Sequence, residues 1–177
     1  MYQSVINVES QMLADFLRYL FPPAEGSELC RVSVSRPTGA LMVAFARPAL
    51  LPSEVTGDHL VMLDIPRYDN ATTSLTNHYV YFSKEAVARI NLALRAEFDL
   101  DFAGYYRKGD EMGMRKMDIV EAYIFSRHLA PETYDALHKR VYRNQQRAQE
   151  RIRQRLLRKA YYLNESINYD GLTSNKP

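Results

Sequence analysis

The sequence contains a single cysteine, Cys30, among its 177 residues. An intrachain disulfide is therefore impossible, and one chain cannot supply the thiolates of a cysteine-rich zinc or iron–sulfur site. This scarcity of cysteine is most simply explained by a reducing compartment. We expect Cys30 itself to be a buried, unreactive thiol on a strand.

Long apolar runs are also missing. A membrane-spanning helix needs roughly 20 consecutive apolar residues, and no stretch of the sequence approaches that length. The segment that begins with Met1 has no basic leader and soon reaches Glu9, so no secretory signal is indicated. These absences predict a cytoplasmic protein with no membrane partner.

Motifs typical of catalysis are lacking as well. There is no Gly-x-x-x-x-Gly-Lys loop for phosphate, no nucleophile elbow, and no pair of histidines spaced to share one helical face. Asp64, at the end of an apolar run, is a candidate metal ligand of a nuclease, although acids at strand ends are common in ordinary turns. Its candidate partners are Asp58, Asp69 and Glu85. The sequence therefore predicts no enzyme, no metal site and no cofactor.

Basic residues, in contrast, are concentrated in one segment. From Lys139 to Lys159, nine lysines and arginines stand against one acid, Glu150, which gives a net charge of +8. The rest of the chain carries a net charge of −6. An asymmetry of this size indicates a polyanionic partner or an acidic protein surface.

Apolar periodicity predicts an α+β unit over residues 1–100. An amphipathic helix from Val8 to Leu20 comes first, and Ser83 is predicted to cap a second helix, with Ile90, Leu94 and Phe98 on its apolar face. The intervening strands are expected at 29–35, 40–46, 59–65 and 78–82, with a turn at 36–39 and a long loop at 67–77. The expected architecture is an N-terminal helix, a four-stranded, mainly antiparallel sheet and a covering helix.

Glycine and tyrosine are frequent in the next segment, 101–113, which we expect to connect two modules. Its Tyr105-Tyr106-Arg107-Lys108 run can stack on bases, but a mobile linker with half-buried tyrosines is the simpler interpretation. Residues 114–163 are predicted to form a helical hairpin, in which a helix of about 30 residues runs from Pro131 to Leu163. Residues 164–177, which contain Asp170-Gly171, are predicted to be a flexible tail.

The long helix carries the feature that suggests a function. At about 100° per residue, six arginines fall within an arc of roughly 120°, and an apolar arc that includes Ile152 and Leu156 lies apart from them. The planar guanidinium of arginine suits phosphate because it donates two parallel hydrogen bonds. We therefore expect nucleic-acid binding, to DNA rather than RNA. The candidate binding residues are Lys139, Arg140, Tyr142, Arg143, Asn144, Arg147, Arg151, Arg155 and Arg158.

Two other interpretations of the same helix stay open. The apolar arc can form a coiled-coil seam, which predicts a homo-oligomer through the long helix. The charged face can also be a solvated surface or pair with an acidic protein.

The residues on either side of the turn in the predicted helical hairpin resemble a segment found in other proteins. The run 115–123, followed by Tyr134, Leu137, Lys139-Arg140 and Tyr142-Arg143, resembles the C-terminal part of small uncharacterised proteins from mobile elements and phages of gut Bacteroidales. The resemblance covers roughly 30 residues. The same residues also resemble a helix-turn-helix, a motif whose second helix enters the major groove of DNA. The predicted second helix is about three times as long as the second helix of a standard helix-turn-helix. The turn before it also lacks the glycine that is often found there. The resemblance implies a DNA-binding accessory or regulatory protein of a mobile element, or else a phage structural or assembly protein.

Overall fold

The computed structural model describes residues 2–66 and 79–173, without the side chains of 144–146, 148, 149 and 163–173. The chain divides into two compact units, Met1–Tyr134 and Asp135–Pro177. The first unit combines a sheet with helices, which confirms the expected α+β class. The predicted loop 67–77, including Asp69, lies outside the described residues.

The first unit is built on a five-stranded mixed sheet rather than the expected four-stranded, mainly antiparallel one. Its strands are β1 (Tyr2–Asn7), β2 (Cys30–Arg31), β3 (Arg47–Ala49), β4 (Leu60–Ile65) and β5 (Tyr79–Tyr81). They lie in the order β2-β4-β1-β5-β3. Strand β1 is central, antiparallel to β4 and parallel to β5, while the edge strands pair parallel (β2 with β4) and antiparallel (β3 with β5).

The central strand β1 was missed by the sequence analysis. Its side chains alternate as a strand requires, with Ser4 and Ile6 buried on one face. Tyr2 lies opposite Ile65, and Asn7 lies opposite Leu60. The predicted strands at 59–65 and 78–82 are confirmed as β4 and β5, although His78 lies outside the described residues.

The predicted hairpin at 29–46 is wrong. Only Cys30 and Arg31 of its first strand are extended in the sheet, and its returning strand is a helix, α2 (Pro37–Phe45). Proline is well tolerated in the first turn of a helix, where its missing N–H is not needed. At this same end, the backbone N–H and the hydroxyl of Thr38 both donate to the Glu97 carboxylate, at 3.3 and 2.7 Å. An anion at a helix N-terminus is stabilising, so Glu97 helps to hold α2 in place.

The first predicted helix is confirmed as α1 (Gln11–Leu20), three residues shorter at its start than expected. The Ser10 side chain caps it by accepting from the backbone N–H of Leu13. Its buried face carries Leu13, Ala14, Phe16 and Leu17.

Helix α3 (Lys84–Glu111) is longer than expected and replaces the predicted connection at 101–113. Ser83 caps it as predicted, accepting from the N–H of Ala86 at 3.2 Å. The apolar face of Ile90, Leu94 and Phe98 is buried as predicted. The helix then continues through Gly104 and ends at a turn in which Gly113 has a φ of 72°. Single glycines cost a helix only about 1 kcal/mol each, which packing of the helix can offset.

Helix α4 (Lys116–Ser126) packs on α3 through buried Ile119, Val120 and Tyr123. The aromatic rings of α1, α3 and α4 meet in the core: Phe98 lies 5.1 Å from Phe16 and 5.9 Å from Tyr123, with edge-to-face geometry in both pairs. This arrangement joins three helices into one apolar layer beside the sheet.

The second unit is occupied by helix α5 (Thr133–Thr173), whose first two residues belong to the first unit. The predicted helix from Pro131 to Leu163 is therefore confirmed in kind, but the expected tail is helical as far as Thr173. Residues 174–177 lie outside the described part. Over the described ranges, no helix has the length and apolar character needed to cross a membrane.

Candidate nucleic-acid interface

Helix α5 has 41 residues and so extends for about 60 Å at 1.5 Å per residue. Its sequence has few β-branched residues and no proline, and its single glycine, Gly171, stands near the end. Helix formation is cooperative, so one unfavourable residue near an end does not stop a long helix. The helix therefore presents a continuous and regular surface.

One side of α5 is an arginine face, which we define as Arg140, Arg143, Arg147, Arg151, Arg155 and Arg158. These six residues lie within an arc of about 120° because they recur at three- and four-residue steps. All except Arg140 are exposed, and Arg140 is half-buried. From Arg143 to Arg158 the face spans about 22 Å along the helix axis.

The arginine face is poor in negative charge. In the described part of the chain, no carboxylate forms an ion pair with Arg143, Arg147, Arg151, Arg155 or Arg158. The acid of this segment, Glu150, instead lies 3.8 Å from Arg153, which points roughly 140° away from the centre of the face. The positive charge of the face is therefore available to an external anion.

The other candidate binding residues are not all on this face. Tyr142 is 55% exposed and its ring lies 4.9 Å from that of His138, but the helical twist places it roughly 160° from the centre of the arginine face. Lys139 is exposed and lies to one side of the face. Asn144 falls on the face by its position, although its side chain is outside the described residues. Tyr142 thus lies outside the arginine face.

An apolar strip follows another side of α5. Ile152, Leu156 and Leu157 are each about three-fifths exposed, and they border a shallow depression together with Arg153 and Ala160. Val141, predicted on the same arc, is buried. The arginine face is therefore separate from the apolar strip, while Arg153 lies within the strip.

The Tyr105-Tyr106 pair is not a base-stacking platform in a linker, because both residues lie on α3 and pack on other rings. The Tyr105 ring is 5.3 Å from Tyr123, and the Tyr106 ring is 6.1 Å from Phe102. Burial and the neighbouring Asp110 carboxylate raise the pKa of Tyr106.

A charged cluster beside these rings was missed by the sequence analysis. The Arg127 guanidinium donates to Asp101 through Nε at 2.8 Å and Nη2 at 3.3 Å, and lies 4.6 Å from the centre of the Tyr19 ring. The Tyr123 hydroxyl donates to the same carboxylate at 3.1 Å. The only sequence signal is the four-residue step from Tyr123 to Arg127, which places both on one side of the chain. We interpret this cluster as a structural clamp between α3 and the end of α4.

The residues considered for catalysis are dispersed. Cys30 is buried as predicted, and burial raises the pKa of its thiol. Asp64 lies within β4, opposite Gln3 and Arg31, and its backbone carbonyl accepts from the N–H of Val32 at 2.9 Å. Among the residues that the structure describes, no group of three or more histidines, cysteines or acids is placed to hold a metal ion.

The connection between α4 and α5 differs from that of a helix-turn-helix. It comprises residues 127–132, with His128 at a positive φ of 53°, whereas the motif has a turn of about three or four residues. Comparison with protein-family models, curated proteins and solved structures gives no match. The candidate interface thus stands on the exposure and charge of α5 alone.

Proposed function

We propose that the arginine face of α5 binds the phosphate backbone of nucleic acid, and that the chain is a DNA-binding accessory or regulatory protein of a mobile element. The observation that carries this proposal is the row of five exposed arginines without carboxylate partners in the described chain. The arginines of such a row repel one another because no acid neutralises them. Binding of phosphates removes this repulsion.

The shape of α5 favours DNA over RNA. An α-helix with its side chains is about 10–12 Å wide, and the major groove of B-DNA, about 12 Å wide, admits it. The major groove of A-form RNA is too deep and narrow for side chains to reach its bases. We therefore expect duplex DNA to bind more tightly than duplex RNA of the same sequence.

Salt dependence tests the electrostatic part of this proposal. If three to five arginines neutralise phosphates, the logarithm of the association constant should fall against log salt with a slope of about −3 to −4.5. Fluorescence anisotropy with a labelled duplex of about three helical turns measures this slope. Changing Arg143, Arg147 and Arg151 together to Glu should abolish binding.

A matched pair of single variants distinguishes the face from general positive charge. Arg151 and Arg153 are both exposed, lie on the same helix and differ in direction by roughly 160°. Arg151→Gln should weaken binding several-fold and make the slope about 0.9 less steep, whereas Arg153→Gln should leave the slope unchanged. Absence of binding at low salt, or equal effects of the two variants, would refute the proposal.

Assembly is the second candidate function, favoured by the exposed apolar strip of Ile152, Leu156 and Leu157. In this case α5 forms an intersubunit bundle in a phage or mobile-element structure. Light scattering should then show an oligomer that Ile152→Ser with Leu156→Ser dissociates. Unchanged oligomeric mass in this double variant would exclude the strip as the assembly surface.

A further inference from the structure

Helix α3 also carries an uncovered apolar face, on the side away from its buried Ile90, Leu94 and Phe98. Leu92 is 67% exposed and Leu100 is 75% exposed, and Ala96 lies exposed midway between them. These three residues follow one another at four-residue steps and therefore form a continuous ridge about 12 Å long. Arg89, seven positions before Ala96, falls in the same direction and is exposed, with its guanidinium 5.9 Å from the centre of the Phe45 ring. The middle of the face, from Leu92 to Leu100, is therefore its apolar part.

The leucines and the end charges of this face are arranged symmetrically about Ala96, whereas Arg89, seven positions before it, stands opposite Ala103, seven positions after it. A leucine stands four positions before it (Leu92) and four positions after it (Leu100). At the outer ends of the face, eleven positions before and after Ala96, stand Glu85 and Arg107, which have opposite charges. At about 100° per residue Ala96, the two leucines and the two end residues fall within an arc of roughly 80°.

Such symmetry is what an isologous contact needs, because a two-fold axis brings each position of one copy against the mirrored position of the other. We propose that two copies of this chain associate through this face of α3, as an antiparallel helix pair whose two-fold axis passes beside Ala96. Leu92 of each copy then packs on Leu100 of the other copy, and Glu85 of each copy pairs with Arg107 of the other copy. The small side chain of Ala96 lets the two helices approach to about 8 Å.

The intrachain contacts of these residues permit the pairing. Arg107 is 80% exposed and its partner within the chain, Glu111, is 3.8 Å away and 68% exposed. Exposed pairs of this type contribute little, so Arg107 can exchange Glu111 for Glu85 of a second copy. Glu85 is exposed in the first turn of α3.

The same charge logic favours α3 over α5 as the self-association surface. A second copy on α5 would bring together two segments that each carry a net charge of +8, whereas the ends of the α3 face are complementary. A standard stable interface draws on about 20–30 residues per side, and one helix face offers fewer. We therefore expect a weak, concentration-dependent dimer.

Cysteine cross-linking tests the contact and its register together. Cys30 is buried, so an introduced cysteine is the reactive thiol of the folded chain. Ala96→Cys places the new thiol beside the two-fold axis, within the distance that a disulfide can bridge. In the matched control, Ala88→Cys, the two thiols of the antiparallel pair lie about 24 Å apart.

Mild oxidation followed by non-reducing electrophoresis should convert most of the Ala96→Cys protein to a covalent dimer and little of the Ala88→Cys protein. Adding Leu92→Glu should reduce the yield for Ala96→Cys at least five-fold, whereas adding Leu157→Glu, the same change at an exposed leucine of α5, should not. No cross-link at Ala96, or equal cross-linking of the two cysteine variants, would overturn the proposal.

Sedimentation velocity tests the charge pairing. Glu85→Arg alone should raise the dimer dissociation constant several-fold, since it places two arginines at each end of the face. Combining it with Arg107→Glu should restore the dimer to within about two-fold of wild type. A double variant as weak as the single one would overturn the antiparallel register.

Discussion

Gly109→Ala is a sharp test of the contact between α3 and α4. A Cβ at this position would lie 2.7 Å from Cγ1 and 2.9 Å from Cδ1 of Ile119. Ile119 is fully buried, so its side chain has no open space into which it can move. Overpacking of this kind typically costs about 1–3 kcal/mol, and the better helix propensity of alanine offsets up to about 1 kcal/mol of it. We expect a net loss of about 1–2 kcal/mol in the free energy of unfolding.

Gly104→Ala is the matched control, because Gly104 belongs to the same helix and a Cβ there meets nothing within 4 Å. This variant should gain about 0.5–1 kcal/mol from helix propensity alone. Urea unfolding, followed by the near-ultraviolet circular dichroism of the tyrosines at low protein concentration, measures both variants. The two glycines should thus respond with opposite signs.

A double-mutant cycle assigns the cost to Ile119. Ile119→Ala alone should lose about 2–5 kcal/mol, since it leaves a cavity in the core. In that background the clashing Cγ1 and Cδ1 atoms of Ile119 are gone, so Gly109→Ala should become neutral or stabilising. The expected coupling is about 2 kcal/mol. If Gly109→Ala stabilises the wild-type chain as Gly104→Ala does, the described packing of α4 is wrong.

Three further predictions concern titration, reactivity and capping. Burial, and secondarily the Asp101 carboxylate, raises the pKa of Tyr123. A tyrosine in the unfolded chain ionises near pH 10. The contribution of Tyr123 to the free energy of unfolding is therefore complete below that pH and is lost as the pH rises further. Tyr123→Phe should therefore flatten the fall in stability between about pH 10 and 11, and parallel stability curves for the variant and the wild type would contradict this. Because burial raises the pKa of the Cys30 thiol, a disulfide reagent at pH 8 should react slowly with the folded chain and orders of magnitude faster in urea; comparable rates would show that the thiol is accessible. Ser83→Ala should cost about 1 kcal/mol through loss of the α3 cap, but Ser83→Asp should retain most of it, and an unchanged urea midpoint in the alanine variant would rule out the cap.

Local patterns predicted several elements because those elements depend on neighbours in sequence. The Ser83 cap, the buried face of α3 and the side-by-side arrangement of arginines on α5 each follow from three- and four-residue spacings. The central strand β1 could not be found in this way. It has only two buried residues, Ser4 and Ile6, and its place depends on pairing with residues more than fifty positions later.

The errors at α2 and α3 have a common cause, which is that glycine and proline were interpreted as turn residues. Pro37 instead begins a helix, and Gly39 lies where a Cβ would be 2.0 Å from the Ser33 carbonyl oxygen. Gly109 is likewise required by the close approach of Ile119. In both cases glycine is required because a segment distant in sequence packs against it, and the local sequence pattern does not show that contact. A continuous apolar run such as 40–46 cannot be assigned to strand or helix by periodicity alone.

The sequence predicted those features of the candidate interface that follow from the regular spacing of residues on a helix. The exposure of Arg143, Arg147 and Arg151 followed from the pattern, as did their common direction. The position of Tyr142 on the far side of the helix follows from the same arithmetic. The clamp formed by Asp101 and Arg127 was not predictable, because it joins two helices whose packing the sequence pattern did not show.

The central place of β1 also sets an order of events during synthesis. Strand β1 leaves the ribosome about 55 residues before β4, which at about 5–20 residues per second amounts to a delay of roughly 3–11 seconds. Until β4 and β5 arrive, both edges of this strand lack their partners, and unpaired edges invite association between nascent chains. A ribosome that pauses within residues 8–59 would prolong this interval, so codon usage in that stretch should influence the soluble yield more than codon usage after residue 82.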